Sequence, residues 1–154
     1  MFLVEARGRL LYCMAMWRTL VAVLAGWVLV GILVVLTDSI LMKVFPKDYV
    51  AGQMPPDHLT AISLITATLY SAAGGWLTAR LARSRPWLHA GYLIVWGETM
   101  GLVSLALTWG QIQLWYQIGL LVLWPAAVAA GCWARAGRPG WLPPASAPGQ
   151  GPLA

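Results

Sequence analysis

The sequence predicts an all-α integral membrane protein, a four-helix bundle with both termini in the cytoplasm, and three observations lead there. Only 10% of the 154 residues are charged while 60% are hydrophobic, whereas a domain that faces water carries about 25% charged residues. The apolar residues fall into four long blocks, and the basic residues collect at one set of block ends. Lipid is the solvent that such a chain fits. One domain is expected from the length.

The first block, residues 20–36, holds no ionisable side chain, and with its flanks it predicts a span over about 19–41. The others predict spans over about 59–79, 87–109 and 114–133. Each is near the ~20 residues with which a helix crosses ~30 Å of hydrocarbon. None shows the period-two alternation of a barrel strand, and a helix satisfies its backbone in lipid without a neighbour. Local signals mark the ends. Asp57, after Pro55-Pro56, is placed to cap the second helix; Pro86 suits the first turn of the third; Gly137 and Pro139 end the fourth. Trp17, Trp76, Trp87 and Trp133 fall at one boundary and Trp109 and Trp115 at the other, two aromatic belts.

The charges orient the spans. Arg7, Arg9, Arg18, Arg80, Arg83, Arg85, Arg135 and Arg138 flank one side, out of ten Lys and Arg in all. The other side has Lys43 and Lys47 opposed by Asp38, Asp48 and Asp57, and an uncharged loop over 110–113. The positive-inside rule then puts both ends inside. The net charge of +5 serves this topology, and no aromatic-interleaved basic face is left for nucleic acid. The arginines ahead of the first span imitate a signal peptide but no small-x-small cleavage site follows, which predicts a retained anchor. Residues 1–136 therefore make one transmembrane domain. Residues 137–154, with five Pro and four Gly, are read as a disordered cytoplasmic tail. Cys13 and Cys132 lie at the reducing side as small interfacial hydrophobes, with no metal site and no disulfide.

Glu98 is the one ionisable residue well inside a span. An acid at the bilayer centre costs ~2.5–3.5 kcal/mol on insertion scales and faces the bundle interior. The plain expectation is a neutral Glu98 hydrogen-bonded to the second span through Thr66, Tyr70 or Ser71. The functional expectation is a ligand site of Glu98 and Tyr70 with the mid-membrane Trp27, Trp96 and Trp124, suited to a lipophilic cation. Gly97 and Gly101 form a GxxxG pair, and Gly74 and Gly75 with Ala79, Ala126, Ala127, Ala130 and Gly131 supply small surfaces for helix packing. Pro125 frees a carbonyl and bends the fourth helix. His58 and His89 lie at opposite boundaries and share no metal. No catalytic triad, phosphate loop or metal-spaced cluster occurs, so no enzyme and no cofactor is predicted. Arg80, Arg83 and Arg85 are placed to meet lipid head groups.

The stretch Pro56-Asp57-His58-Leu59-Thr60, then Gly74-Gly75-Trp76 leading into Ala79-Arg80-Leu81-Ala82, then Arg85-Pro86 and His89, resembles a loose group of uncharacterised small bacterial four-helix inner-membrane proteins. The resemblance covers about residues 46–100 and implies the same fold and a bacterial inner membrane. Small multidrug transporters also have four helices and a membrane Glu, but they carry it in the first helix, where this chain has none. The function expected first is structural or accessory and non-enzymatic, with the bilayer, other membrane subunits or further copies of the chain as partners. The alternative is a small transporter or binding protein for a hydrophobic or cationic ligand at Glu98.

Overall fold

The computed structural model describes residues 2–49, 53–82, 85–137 and 139, and for residues 2–16 and 18 the backbone alone. Arg83, Arg138, the side chains of Arg7, Arg9, Cys13 and Arg18, and the tail expected to be disordered lie outside the described residues, Gly137 and Pro139 apart. The described residues form four helices and no strand: α1 (Phe2–Val44), α2 (Asp57–Leu81), α3 (Pro86–Leu107) and α4 (Leu114–Ala136). Three stretches, Thr19–Val44, Pro86–Leu107 and Leu114–Ala136, are long and apolar enough to cross a membrane.

The helix ends differ from expectation where local chemistry decides them. α1 has 43 residues, well beyond the span expected over 19–41, because no proline interrupts the chain before Pro46. Asp57 does not cap α2. Pro56 holds the cap position with no side-chain cap bond, and Asp57 is the first helical residue, where its charge still complements the helix dipole. Pro86 opens α3 after Arg85, a left-handed residue with φ 50°. α3 stops at Leu107, before a turn in which Gly110 has φ 77° and Gln111 N–H donates to the Thr108 carbonyl at 3.0 Å. Gly137, with φ 72°, ends α4. Leu114–Ala136 continues through Pro125 without a break.

α2 packs against α1, α3 and α4, whereas α1 and α4 stand apart on either side of it. That position explains its composition. α2 has 25 residues, yet Thr, Ser and Gly dilute it below the apolar level of the other three. A helix facing protein on several sides needs small and polar surfaces more than bulky ones. Thr60, Ser71, Gly74, Gly75 and Thr78 of α2 are buried. At Gly74 the backbones of α1 and α2 meet: a Cβ there would stand 3.0 Å from the Gly26 carbonyl oxygen. At Gly75 a Cβ would overlap the Val128 carbonyl of α4, and at Gly131 one would overlap the Ala72 carbonyl of α2.

The tight core is Ala79, Ala90, Leu93, Val128 and Cys132, with Val23, Trp87, Ile94 and Trp124 around it. These come from the end of α2, the start of α3 and the end of α4, so the core fills the half of the molecule nearest the α2–α3 connection. Large apolar side chains point outward elsewhere: Val35, Ile65, Leu69, Val95, Leu107 and Val122 are 61–74% exposed. An apolar shell of this extent is foreign to a monomer in water.

Candidate functional site

Glu98 lies nine residues before the end of α3 at Leu107, about 14 Å of helix rise. It opens on a cavity of about 220 Å³ to which all four helices contribute, Val30 and Val34 from α1, Ser71 from α2 and Trp124 from α4 among them. Its Oε1 is buried and accepts no hydrogen bond, the one such side-chain atom among the described residues. The partners expected for it are engaged elsewhere. Ser71 donates to the Ala67 carbonyl at 2.7 Å and Thr66 to the Ile62 carbonyl at 2.9 Å. Tyr70 pairs with Thr37 of α1 at 2.9 Å. The two helix hydroxyls follow the i−4 habit of Ser and Thr, which competes with any bond across the cavity.

The cavity lining runs between the tight core and the α3–α4 turn. Toward the α2–α3 connection it ends on Trp124, which belongs to the rim of the tight core. The indole of Trp124 donates to the Ile94 carbonyl at 3.3 Å, and its ring lies where a side chain at Gly97 would be. Toward the α3–α4 turn the lining continues through Ser104, Tyr116, Gln117 and Ile112. A second hollow, walled by Met54, Trp109 and Gln113, shares Ile112 and Gln117 with the first. Gln117 is buried and donates to Thr108 Oγ1 at 2.7 Å. Gln113 donates to the Pro55 carbonyl and accepts from Thr60 at 3.4 Å, tying the α3–α4 turn to the approach of α2.

The charge at this end is acidic. Asp38 of α1 accepts from Ser63 at 3.1 Å. It lies within electrostatic reach of Tyr49 and of Tyr116, the phenol in the cavity wall. Burial first, and then the Asp38 and Asp48 carboxylates, hold the Tyr49 phenol above its usual range. Among the described residues no Lys, Arg or His lines the cavity.

Of the residues singled out for a ligand, the structure brings Glu98 and Trp124 to one cavity. Trp27 and Trp96 instead meet each other edge to face, 6.3 Å apart at 85°, outside its lining. Tyr70 also lies off the lining, on Thr37. Among the packing glycines, Gly97 and Gly101 receive Trp124 and Leu121 of α4 as side chains set into α3, whereas Gly74 and Gly75 permit backbone contact. Arg80 stacks over Trp76 of its own helix at 5.1 Å, and Arg85 is exposed at the start of α3. His89, at the same end, meets the Arg85 carbonyl through Nδ1 and the Thr19 hydroxyl through Nε2, both at 3.0 Å. Among the described residues no three of His, Cys, Asp and Glu are grouped to hold a metal ion.

Sequence reasoning missed Ser104, Tyr116, Gln117 and Gly26. A signal existed for most of them. Glu98, Gly101, Ser104 and Thr108 recur every three or four residues, one face of a helix, and Gln113 and Gln117 are spaced four apart on the next. Ala22 and Gly26 make a small-xxx-small pair.

Fold and site together define a class: an all-helical protein with three helices able to cross a membrane and a carboxyl group in a cavity between the helices. Set against family models, curated proteins and solved structures, the chain matches none.

Proposed function

We propose that the chain is a four-helix bundle in a bacterial inner membrane, both termini cytoplasmic, that binds a small hydrophobic or cationic molecule at Glu98 and is not an enzyme. One observation carries the reading: Glu98 lines a cavity between the helices, and its buried Oε1 has no hydrogen-bond partner. A buried acceptor left unmade costs about 1–3 kcal/mol, a cost that a bound donor removes. The arginine asymmetry supports the orientation, the resemblance over residues 46–100 supports the bacterial inner membrane, and the burial of α2 between its neighbours supports its place as a fourth span despite its lower hydropathy.

A second reading is a structural or accessory subunit of a larger membrane complex or of a self-assembly, to which outward-facing apolar side chains such as Val35, Val95 and Leu107 offer a surface.

Thermal unfolding of the detergent-solubilised protein against a panel of small hydrophobic and cationic compounds separates the two. A ligand at one hundred times its Kd stabilises by about 2.7 kcal/mol. The binding reading expects such a rise in the native protein and its loss in a folded Glu98→Gln variant. Identical rises in both proteins, or none in either, leave the accessory reading standing.

A further inference from the structure

We propose that the occupant of the Glu98 cavity is a small primary amine, held as its ammonium with an N–H donated to Glu98 Oε1 and its apolar body against the wall. This rests on the ligand-binding reading above and narrows it to one chemical class.

Part of the wall has already spent its donors. Ser71 and Thr68 both line the cavity, and each has spent its only proton on a backbone carbonyl, Ala67 and Leu64, at 2.7 Å. A hydroxyl that has donated keeps lone pairs to accept with. The Trp124 N–H is likewise spent on Ile94, and Gln117 has turned its amide nitrogen to Thr108. The Ser104 and Tyr116 hydroxyls keep theirs, so the wall can both donate and accept, yet none of its donors reaches Glu98 Oε1. The complement of that unpartnered acceptor is a ligand N–H, and an ammonium has three.

Charge points the same way. An ammonium and a carboxylate are neutral as a pair wherever the shared proton rests, so neither is left as a lone charge in an apolar wall. Among the described residues the lining contains no base to compete for Glu98, and Asp38 adds a negative field near Tyr116 of the wall. Val30, Val34, Leu120 and Leu121 give the body an apolar surface, with the Trp124 ring for a cation–π contact. The volume of about 220 Å³ lies below the ~300–1,000 Å³ of drug-sized sites, which suits one ring or a short chain.

Calorimetric titration of the full chain in lipid nanodiscs, corrected against empty discs, tests this with three probes of one shape: phenethylamine, its N,N,N-trimethyl derivative and 2-phenylethanol. The expected result is at least tenfold tighter binding of the amine than of either analogue, with Glu98→Gln bringing the amine down to the alcohol. Equal affinity of the trimethyl compound, which has the charge but no N–H, overturns the proposal, as does equal affinity of the alcohol. Ser104→Trp, which adds bulk to the cavity wall, tells this failure from that of the cavity. If equal binding of amine and alcohol disappears in Ser104→Trp, the cavity is a ligand site and the amine class is wrong. If no probe binds the native protein, the class falls, and a compound panel that also gives no thermal shift takes the binding reading with it. The ligand series on native protein decides the matter even if Glu98→Gln does not fold.

Discussion

Single atoms decide where these helices meet. The missing side chain at Gly131 is what lets the Ala72 carbonyl of α2 approach α4, whereas Gly31 of α1 has open space where a Cβ would stand. The two glycines therefore respond oppositely to the same change. Gly131→Ala is expected to destabilise by about 1–3 kcal/mol, the usual cost of overpacking. Gly31→Ala is expected to be neutral or to stabilise by up to about 1 kcal/mol, because alanine restricts the unfolded backbone more. Unfolding of both variants in mixed micelles reads the difference, and equal destabilisation of the two removes the close α2–α4 contact described above. This scale also shows where sequence reading stops. Glu98 was legible as the one ionisable residue well inside a span. That its candidate partners would turn to their own backbones was not, since Ser71 has the same letter whether it bonds Ala67 or Glu98.

Among the elements, α2 shows how position governs composition. Read by apolar length, it looks like a weak span. Its hydroxyls and glycines are needed because α1, α3 and α4 all press on it. Three polar links join α1 and α2 at different heights: Thr78 donates to the Ala22 carbonyl at 3.2 Å, Thr37 pairs with Tyr70 at 2.9 Å, and Ser63 donates to Asp38 at 3.1 Å. The Thr37–Tyr70 pair permits a clean cycle, because Thr37→Val and Tyr70→Phe remove the hydroxyls and keep the shapes. The coupling expected from interhelical bonds in membranes is about 0.6 kcal/mol and below about 1.7. A coupling indistinguishable from zero in unfolding measurements denies the α1–α2 bond. Helix existence was legible in the sequence because block length and Pro and Gly punctuation act locally. Which faces of those helices line a common cavity depends on the rotation of each helix about its own axis, set by contacts such as Gly75 with Val128 that link residues distant in sequence. The spacing of Glu98, Gly101, Ser104 and Thr108 hinted at one face of α3, but only packing could turn Tyr116 and Gln117 toward it.

At the scale of the molecule, the tight core and the cavity occupy opposite ends, and so do the charges. The core adjoins the α2–α3 connection, where Arg80 and Arg85 lie; the cavity lining extends to the α3–α4 turn, near Asp38. If arginine retention sets the orientation, the core end faces the cytoplasm and the α3–α4 end of the cavity faces away from it. Cysteine labelling tests both statements at once in a background with Cys13→Ser and Cys132→Ser. Gln111 is exposed in the α3–α4 turn, so Gln111→Cys is expected to react with a membrane-impermeant maleimide added to intact cells. Ala154→Cys is expected to react only after the cells are opened. The opposite pattern inverts the chain and puts the α3–α4 end of the cavity on the cytoplasmic side. Labelling of both positions from outside puts both ends of α4 on one side, so that α4 does not cross the bilayer.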